Sequence, residues 1–359
     1  MRFAIVGAGW YGCHLAMALD ALGMEVQVFE QHSRPFHEAS GNNQFRLHQG
    51  FHYPRHHGTR MQSRDGFLRF VERYPSLSGP IRHNIYAVPT YDSSMDFSTY
   101  RLIMTATGVE FSELGTSPVT LQHVSGTLAT QERVLMMSRA RDYFQRKLGT
   151  RLVLSHRVGR VEETAGHVMV DGKIFDFMID ATWGHLTQPA IEVFYEPTML
   201  LYYEGPVDFP AITLVDGPLC SVYPTEDPQI YTLSSVAHTP LGQYATSGEA
   251  RARLAEVNGA MVQAKVQEME AQISHYFPAF RDVFSFVGPQ LAIKTKPVGN
   301  HDDRSCSIAR HGRIFTVMSG KVDTIFTATE RVLSLLEMTV SASGETETTL
   351  RDDIVTIVA

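Results

Sequence analysis

A glycine-rich loop between an apolar strand and a helix is the feature that most constrains this fold. Residues 3–6, FAIV, are too few for a helix and are bounded by glycine, which predicts a buried parallel strand. The next six residues, GAGWYG, form a G-x-G-x-x-G motif, and apolar residues at helical spacing continue to Gly23. A second strand over 26–29 ends at Glu30. This order of strand, loop, helix, strand and acid predicts an α/β dinucleotide-binding domain.

Each glycine of the motif has a physical role. Gly7 permits a tight turn, Gly9 lets the backbone approach a pyrophosphate, and Gly12 lets the helix pack closely on the strand. The free N–H groups at the helix N-terminus then face the phosphates. Glu30 lies 18 residues beyond Gly12, where its carboxylate would accept hydrogen bonds from a ribose.

The composition is that of a globular enzyme. The chain has 359 residues, enough for about two domains, and its 31 basic against 38 acidic residues argue against a nucleic-acid partner. Three distant cysteines without metal-site spacing predict reduced thiols and no metal. Neither a signal-peptide pattern nor a membrane-spanning apolar run is found. We therefore expect a cytoplasmic protein that acts on a small molecule, without a membrane partner; its oligomeric state is not predicted.

Residues 39–54, ASGNNQFRLHQGFHYP, favour FAD over NAD as the cofactor. A simple NAD dehydrogenase would continue here with alternating helices and strands, whereas this segment is rich in glycine, amides and histidine. The segment resembles that of the D-amino-acid oxidase superfamily of FAD-dependent oxidoreductases, which includes sarcosine oxidase-like and 2-hydroxyglutarate dehydrogenase-like members. The matching residues are Ser40, Gly41, Asn43, His48, Gly50 and Tyr53. Gln44, Phe45 and the charged Arg46 depart from the pattern.

Two further segments agree with this resemblance. Residues 177–184, FMIDATWG, resemble a second dinucleotide segment in which Trp183 displaces the usual glycine, and residues 312–321 resemble a final strand and loop that close over the flavin. The resemblance implies an α/β protein with an interrupted Rossmann-like FAD-binding domain and a second α+β substrate domain built on an antiparallel sheet. It implies FAD contacts from the following residues: Gly7, Gly9, Trp10, Tyr11, Gly12, Glu30, Gln31, Ser40, Asn43, Val158, Ala181, Thr182, Trp183, Gly320 and Lys321.

The resemblance implies an interrupted division of the chain between these two domains, and the local patterns fit it. The predicted segments are 1–75, 131–197 and 291–340 for the FAD-binding domain, 76–130 and 198–290 for the substrate domain, and 341–359 for a C-terminal tail. Apolar spacing predicts a helix over 131–148 and one long helix over about 248–276.

Candidate catalytic residues lie in the segments that the resemblance places at the flavin. His48 would orient a substrate hydroxyl or amine or act as a base, unless it is simply hydrogen-bonded within its loop. On an extended strand, His52 and Arg46 would share its face and form a cationic wall. Lys321 would bind an anion or lie beside the ring. Substrate contacts are predicted from Tyr53, Tyr223 and Lys294, for each of which an ordinary core or surface position is the alternative.

The resemblance implies an FAD-dependent oxidoreductase that oxidises a CH–NH or CH–OH bond of a polar, anionic metabolite by hydride transfer to the flavin. The alternative is a flavin monooxygenase, or a non-redox flavoenzyme of the sugar mutase type, acting on a specialised metabolite. A protein that holds FAD only structurally is a third hypothesis. The histidine-rich segment argues against it, because structural binding does not require those groups.

Overall fold

A computed structural model describes residues 1–299, 303–343 and 355–357, with side chains as far as residue 337. In chain order its strands are β1 Arg2–Val6, β2 Glu25–Phe29, β3 Arg46–Leu47, β4 Ser78–Pro80, β5 Asn84–Pro89, β6 Phe111–Glu113, β7 Val124–Thr130, β8 Arg133–Leu135, β9 Leu152–Val153, β10 Val161–Glu163, β11 Val168–Val170, β12 Lys173–Phe175, β13 Phe177–Asp180, β14 Val193–Glu204, β15 Ala211–Leu214, β16 Cys220–Pro224, β17 Ile230–Ser235, β18 Ser285–Pro297, β19 Ser307–His311, β20 Ile314–Met318 and β21 Val355–Ile357. The α-helices are α1 Trp10–Ala21, α2 His57–Arg73, α3 Phe97–Thr107, α4 Met137–Leu148, α5 Ser247–Ala255, α6 Gly259–Tyr276, α7 Phe280–Val283 and α8 Ile325–Ser343. Short 3-10 helices cover Ala39–Gly41, Gly149–Arg151 and Val322–Thr324.

The chain divides into two compact units. The first unit comprises Met1–Gly41, Arg139–Val193 and Pro297–Ala359. Its main sheet has the strand order β21-β19-β20-β13-β1-β2-β9, and the strands from β20 to β9 run parallel. The register pairs the last residue of β1 with the last residues of both β2 and β13, so the carboxyl ends of these strands lie side by side. In sheets of this kind, that edge is where nucleotide ligands bind.

The second unit comprises Asn42–Ser138 and Phe194–Lys296. Its eight-stranded sheet has the order β18-β14-β17-β16-β15-β5-β7-β6, in which β15 and β5 are parallel neighbours. Apolar side chains of β14, β16 and β17 pack against those of α6 in one buried cluster. A smaller sheet has the order β3-β8-β4. The mixed α/β architecture with a second, largely antiparallel domain agrees with the predicted fold class.

Two predicted helices differ from the observed ones. Helix α4 begins only at Met137, because Val134 and Leu135 belong to a strand that pairs with β3 on one side and β4 on the other. The long helix predicted over 248–276 is two helices, α5 and α6. Asn258 separates them, since its side chain accepts the Met261 N–H and caps the start of α6.

The predicted domain boundaries also differ from the limits of the two units. Residues 42–75, which we expected in the FAD-binding domain, lie in the second unit, because β3 pairs with β8 there. In the predicted tail, α8 continues to Ser343 and Val355–Ile357 pairs with β19 in the first unit. Residues 344–354 and 358–359 lie outside the described residues.

Over the described ranges, no helix combines the length and the apolar character needed to cross a membrane. The same residues contain no group of three or more histidine, cysteine or acidic side chains arranged to hold a metal ion. The three cysteines are buried free thiols.

Candidate cofactor and substrate sites

The glycine-rich loop of the first unit leaves no room for a side chain at its three glycine positions. Gly7 has a φ of +101°, and a Cβ added there would lie 2.9 Å from the carbonyl oxygen of Ala181. A Cβ at Gly12 would overlap the carbonyl oxygen of Gly7, and one at Gly9 would lie 2.6 Å from Oγ of Ser40. Glycine is therefore required at all three positions, and α1, whose N-terminal N–H groups can face a diphosphate, begins within the motif at Trp10.

Glu30 stands at the end of β2 and is only 7% exposed. Its Oε2 accepts the Ala8 N–H at 2.9 Å, and its Oε1 accepts the His32 N–H at 3.0 Å. These two bonds fix a carboxylate beside the glycine-rich loop, where it fits a ribose diol. The neighbouring Gln31 is exposed and lies 3.3 Å from the carboxylate of Glu38.

Asp180, at the end of β13, organises the loop that follows it. One carboxylate oxygen accepts the N–H of Thr182 at 2.8 Å, and the other accepts the N–H of Thr187 at 2.9 Å. Both threonine hydroxyls also donate to this carboxylate. Trp183 and Gly184 turn the chain with φ values of +62° and +78°. A left-handed tryptophan is an uncommon conformation, which this network of bonds holds in place.

Tyr11 connects the glycine-rich loop to the loop after β20. Its hydroxyl lies 2.7 Å from Oγ of Ser319 and 2.6 Å from Oγ1 of Thr324, and it contacts the carbonyl oxygen of Lys321. Burial raises the pKa of this hydroxyl well above its ordinary value. The backbone of Lys321 is thus held by the motif that the sequence analysis assigned to the cofactor.

The residues predicted to contact FAD lie in the first unit, except Asn43, which belongs to the second. Most of them follow β1, β2, β13 and β20, whose carboxyl ends share one edge of the sheet. Val158 is an exception, because its side chain packs in the hydrophobic core and leaves only its backbone to face a ligand. The glycine cradle, the helix N-terminus and the fixed carboxylate fit an adenine dinucleotide such as FAD.

Arg46 is the centre of a polar cluster in the second unit. Its Nη1 donates to Oγ1 of Thr213 at 2.7 Å, and its Nε donates to Oε1 of Gln44 at 3.2 Å. The guanidinium carbon lies 4.0 Å from the centroid of the Tyr223 ring, and Nη2 is buried with no hydrogen-bond partner among the described residues. All three neighbours are neutral, so the guanidinium keeps its capacity to bind an anion.

His48, His52 and Tyr53 come together at a turn. The extended strand that we expected ends at Leu47, and Gly50 reverses the chain with a φ of +99°. The ring centroids of His48 and His52 are 6.5 Å apart, and Tyr53 lies 5.6 Å from the first and 5.5 Å from the second. The shared strand face was therefore wrong, although the turn brings these rings together.

Glu132 is a buried carboxylate in the same unit and is 1% exposed. Its Oε1 accepts the Gln49 N–H at 2.9 Å, while its Oε2 accepts the Tyr86 hydroxyl at 2.8 Å and the Asn84 amide at 3.1 Å. Burial raises the pKa of Glu132, and the positive charge of Arg46 opposes that shift.

Comparison with known proteins identifies the family. Residues 2–311 match the family model described as FAD dependent oxidoreductase. The chain belongs to this family. It is 58% identical over 333 residues to the FAD-dependent monooxygenase FPY4 of Fusarium mangiferae, an alignment that covers 93% of this chain and 90% of that protein.

Solved structures show the same fold. Glycine oxidase from Geobacillus kaustophilus aligns with a TM-score of 0.70 at 14% identity, covering 98% of this chain and 97% of its own. The FAD-bound L-α-glycerophosphate oxidase from Mycoplasma pneumoniae aligns with a TM-score of 0.71 at 12% identity, covering 94% of each chain. Together with the family match, these comparisons confirm an FAD-dependent oxidoreductase.

Sequence reasoning missed three polar residues of this oxidoreductase. One is Glu132, which stands in an ordinary polar stretch of sequence. Gln44 accepts the Ser221 hydroxyl at 2.9 Å, and its departure from the family pattern was the signal that could have identified it. Gln290 is 3% exposed and donates to the carbonyl oxygen of Asn43 at 3.1 Å.

The predicted substrate contacts are only partly grouped in the second unit. The Tyr223 ring faces Arg46, but its hydroxyl donates to the carbonyl oxygen of Arg133 at 3.1 Å. Lys294 lies on β18 two residues before Lys296, whose ammonium pairs with the buried Glu196. Lys321 belongs to the first unit.

Proposed function

We propose that this enzyme oxidises a CH–NH or CH–OH bond of a polar, anionic metabolite by hydride transfer to FAD. The observation that carries the proposal is the guanidinium of Arg46, which in the described part of the chain has neutral hydrogen-bond partners and a buried N–H without an acceptor. A carboxylate or phosphate of the substrate would accept a charge-assisted hydrogen bond from this N–H. The enzyme would then select for acids over neutral analogues of the same size.

The two units divide the work in this proposal. The first unit holds FAD through the glycine-rich loop, Glu30 and the loops around Trp183 and Gly320. When bound, the flavin supplies the acceptor for the hydride and its two electrons. The second unit holds the substrate anion at Arg46.

His48 would orient the bond that is oxidised. Its Nδ1 accepts the Gly50 N–H at 3.3 Å, which favours the neutral tautomer with the proton on Nε2. In this tautomer the Nε2–H group could donate a hydrogen bond to a substrate oxygen. His52 and Tyr53 pack beside it and limit its movement.

A monooxygenase is the second candidate, favoured by the name of the relative at 58% identity. In that reaction reduced nicotinamide supplies two electrons and O2 supplies two oxygen atoms. One oxygen atom enters the substrate and the other leaves as water. The two candidates therefore differ in what reduces the flavin.

An anaerobic visible spectrum of the holoenzyme separates them. The protein is mixed with amino acids, N-methyl amino acids and 2-hydroxy acids, each beside its neutral carboxamide as a matched control. We expect one acid series to bleach the flavin bands and its carboxamides to do so at least about tenfold more slowly. Equal rates for acid and carboxamide would overturn the anionic substrate. Bleaching by NADH or NADPH alone, followed by substrate-dependent O2 uptake, would establish the monooxygenase.

A further inference from the structure

The turn that carries His48 is held from several sides. The Tyr100 hydroxyl donates to the carbonyl oxygen of Phe51 at 2.9 Å, and the Arg60 guanidinium donates to the carbonyl oxygen of Pro54 at 2.7 Å. The Gln49 N–H is held by Glu132 at 2.9 Å. Glu132 thus supplies a carboxylate to the residue directly after His48.

The groups that face Glu132 come from several elements. They are Arg46 of β3, Tyr86 of β5, Tyr100 of α3 and Tyr223 of β16. Burial raises the pKa of each of the three tyrosines well above its ordinary value, so their hydroxyls stay neutral. Among these groups, Arg46 is the one that carries a charge near neutral pH.

Arg46 lies near Glu132 because it pairs with Val134 of β8, and Glu132 is two residues before Val134 in the chain. The hydrogen bonds of Arg46 go to Thr213 and Gln44, and those of Glu132 come from Gln49, Tyr86 and Asn84. An anion bound at Arg46 would therefore be attracted by the guanidinium and repelled by the carboxylate. The balance between the two charges would decide how strongly the anion is preferred.

We propose that Glu132 is a positioning and specificity-determining residue, which fixes the His48 turn through Gln49 and weakens anion binding at Arg46 by its own negative charge. This inference rests on the proposed anion site at Arg46. Because burial raises the pKa of Glu132, protonation as the pH falls removes the repulsion. Anions should then bind more tightly at low pH than at high pH.

The test compares benzoate with its neutral isostere benzamide, titrated calorimetrically into holoenzyme. The variants are Glu132→Gln, which removes the charge and keeps an oxygen for the Gln49 N–H, and Arg46→Gln. Glu110→Gln, at an exposed acid of the same unit, is the charge control. We expect E132Q to bind benzoate roughly tenfold more tightly than the wild type, with benzamide affinity unchanged. A merely structural role would weaken both ligands together.

The outcomes separate this inference from the proposed function. If the wild type binds benzoate no better than benzamide, the anion site and the role of Glu132 are overturned together. The same holds if a preference for benzoate persists in Arg46→Gln. A preference lost in R46Q but unchanged in E132Q would overturn the role of Glu132 alone.

A second test uses the wild type alone and therefore does not depend on whether a variant folds. The wild type's benzoate affinity, relative to benzamide, should fall as the pH rises through the raised pKa of Glu132. A constant ratio would overturn the inference. If E132Q is folded, its ratio of benzoate to benzamide affinity should not change with pH. A pH dependence that persists in E132Q would assign the effect to another group, such as His48, and would also overturn the inference.

Discussion

Gly320 lies against the indole of Trp183, so that a Cβ on Gly320 would be 2.8 Å from Cζ2 of the ring. The two residues belong to the loops that follow β20 and β13, which are neighbouring parallel strands. Trp183 cannot easily move away, because it has a left-handed backbone in the loop that Asp180 holds together. The contact therefore fixes both loops of the candidate cofactor site at one point.

We expect Gly320→Ala to displace the Trp183 indole, because the added Cβ would overpack the contact between the two loops. This strain should lower FAD affinity about tenfold. The apoprotein is titrated with FAD and its tryptophan fluorescence is followed, which is practical because the chain has only two tryptophans. Gly166→Ala is the matched control, since a Cβ there meets nothing within 4 Å. Equal FAD affinity for G320A and G166A would show that the contact is unimportant for the cofactor.

Glu30→Gln should also lower FAD affinity, by about tenfold or more. The carboxylate accepts two backbone N–H groups and remains negative toward a ribose diol, whereas the amide offers one acceptor oxygen and no charge. Glu25→Gln, at the start of the strand that Glu30 follows and with a side chain that is 77% exposed, should bind FAD as the wild type does. If both variants bind FAD normally, Glu30 does not contact the ribose.

The strand, turn and helix of the candidate cofactor site could be predicted from sequence because their requirements are local. Gly7, Gly9, Gly12 and Glu30 stand at fixed spacings along a strand, a turn and a helix, and each spacing has a steric or hydrogen-bonding reason. The strand bounds of β1 and β2 follow from the same short-range pattern.

The polar cluster of the second unit depends on distant parts of the chain. Glu132 acquires its role by meeting Gln49, 83 residues away, and Gln290 meets Asn43 at a separation of 247 residues. Val134 shows the same limit, since its spacing fits a helix but pairing with β3 makes it part of a strand. No pattern within a short window reveals such contacts, because the chain must fold before they exist.

The three thiols should make stability fall at alkaline pH. Burial raises the pKa of Cys220 and Cys306 to about 12 and raises that of Cys13 well above its usual range. In the unfolded chain these thiols have a pKa of about 8.5. Their contribution to the free energy of unfolding is therefore complete below that pH and is lost as the pH rises above it.

Urea unfolding of the wild type at roughly pH 7 and pH 9.5 measures this loss. Cys220→Ala is the comparison, and its stability should decline less over the same interval. A thiol reagent at neutral pH should label the native protein slowly and the unfolded chain at all three cysteines. Fast labelling of the native protein would contradict the burial on which this prediction depends.

Arg46→Lys tests whether the shape of the cation matters as well as its charge. Arginine bonds Thr213 and Gln44 and stacks on the Tyr223 ring at the same time, which a lysine ammonium cannot do. The substrate is the acid that bleaches the flavin bands in the anaerobic experiment. We expect KM for this acid to rise about tenfold and kcat to change much less, because the lost contacts orient the anion and not the reacting bond. Arg82→Lys, at an arginine that is 68% exposed, should leave both constants unchanged. A fall in kcat at constant KM would instead place Arg46 at the reacting bond and remove the reason to expect an anionic substrate.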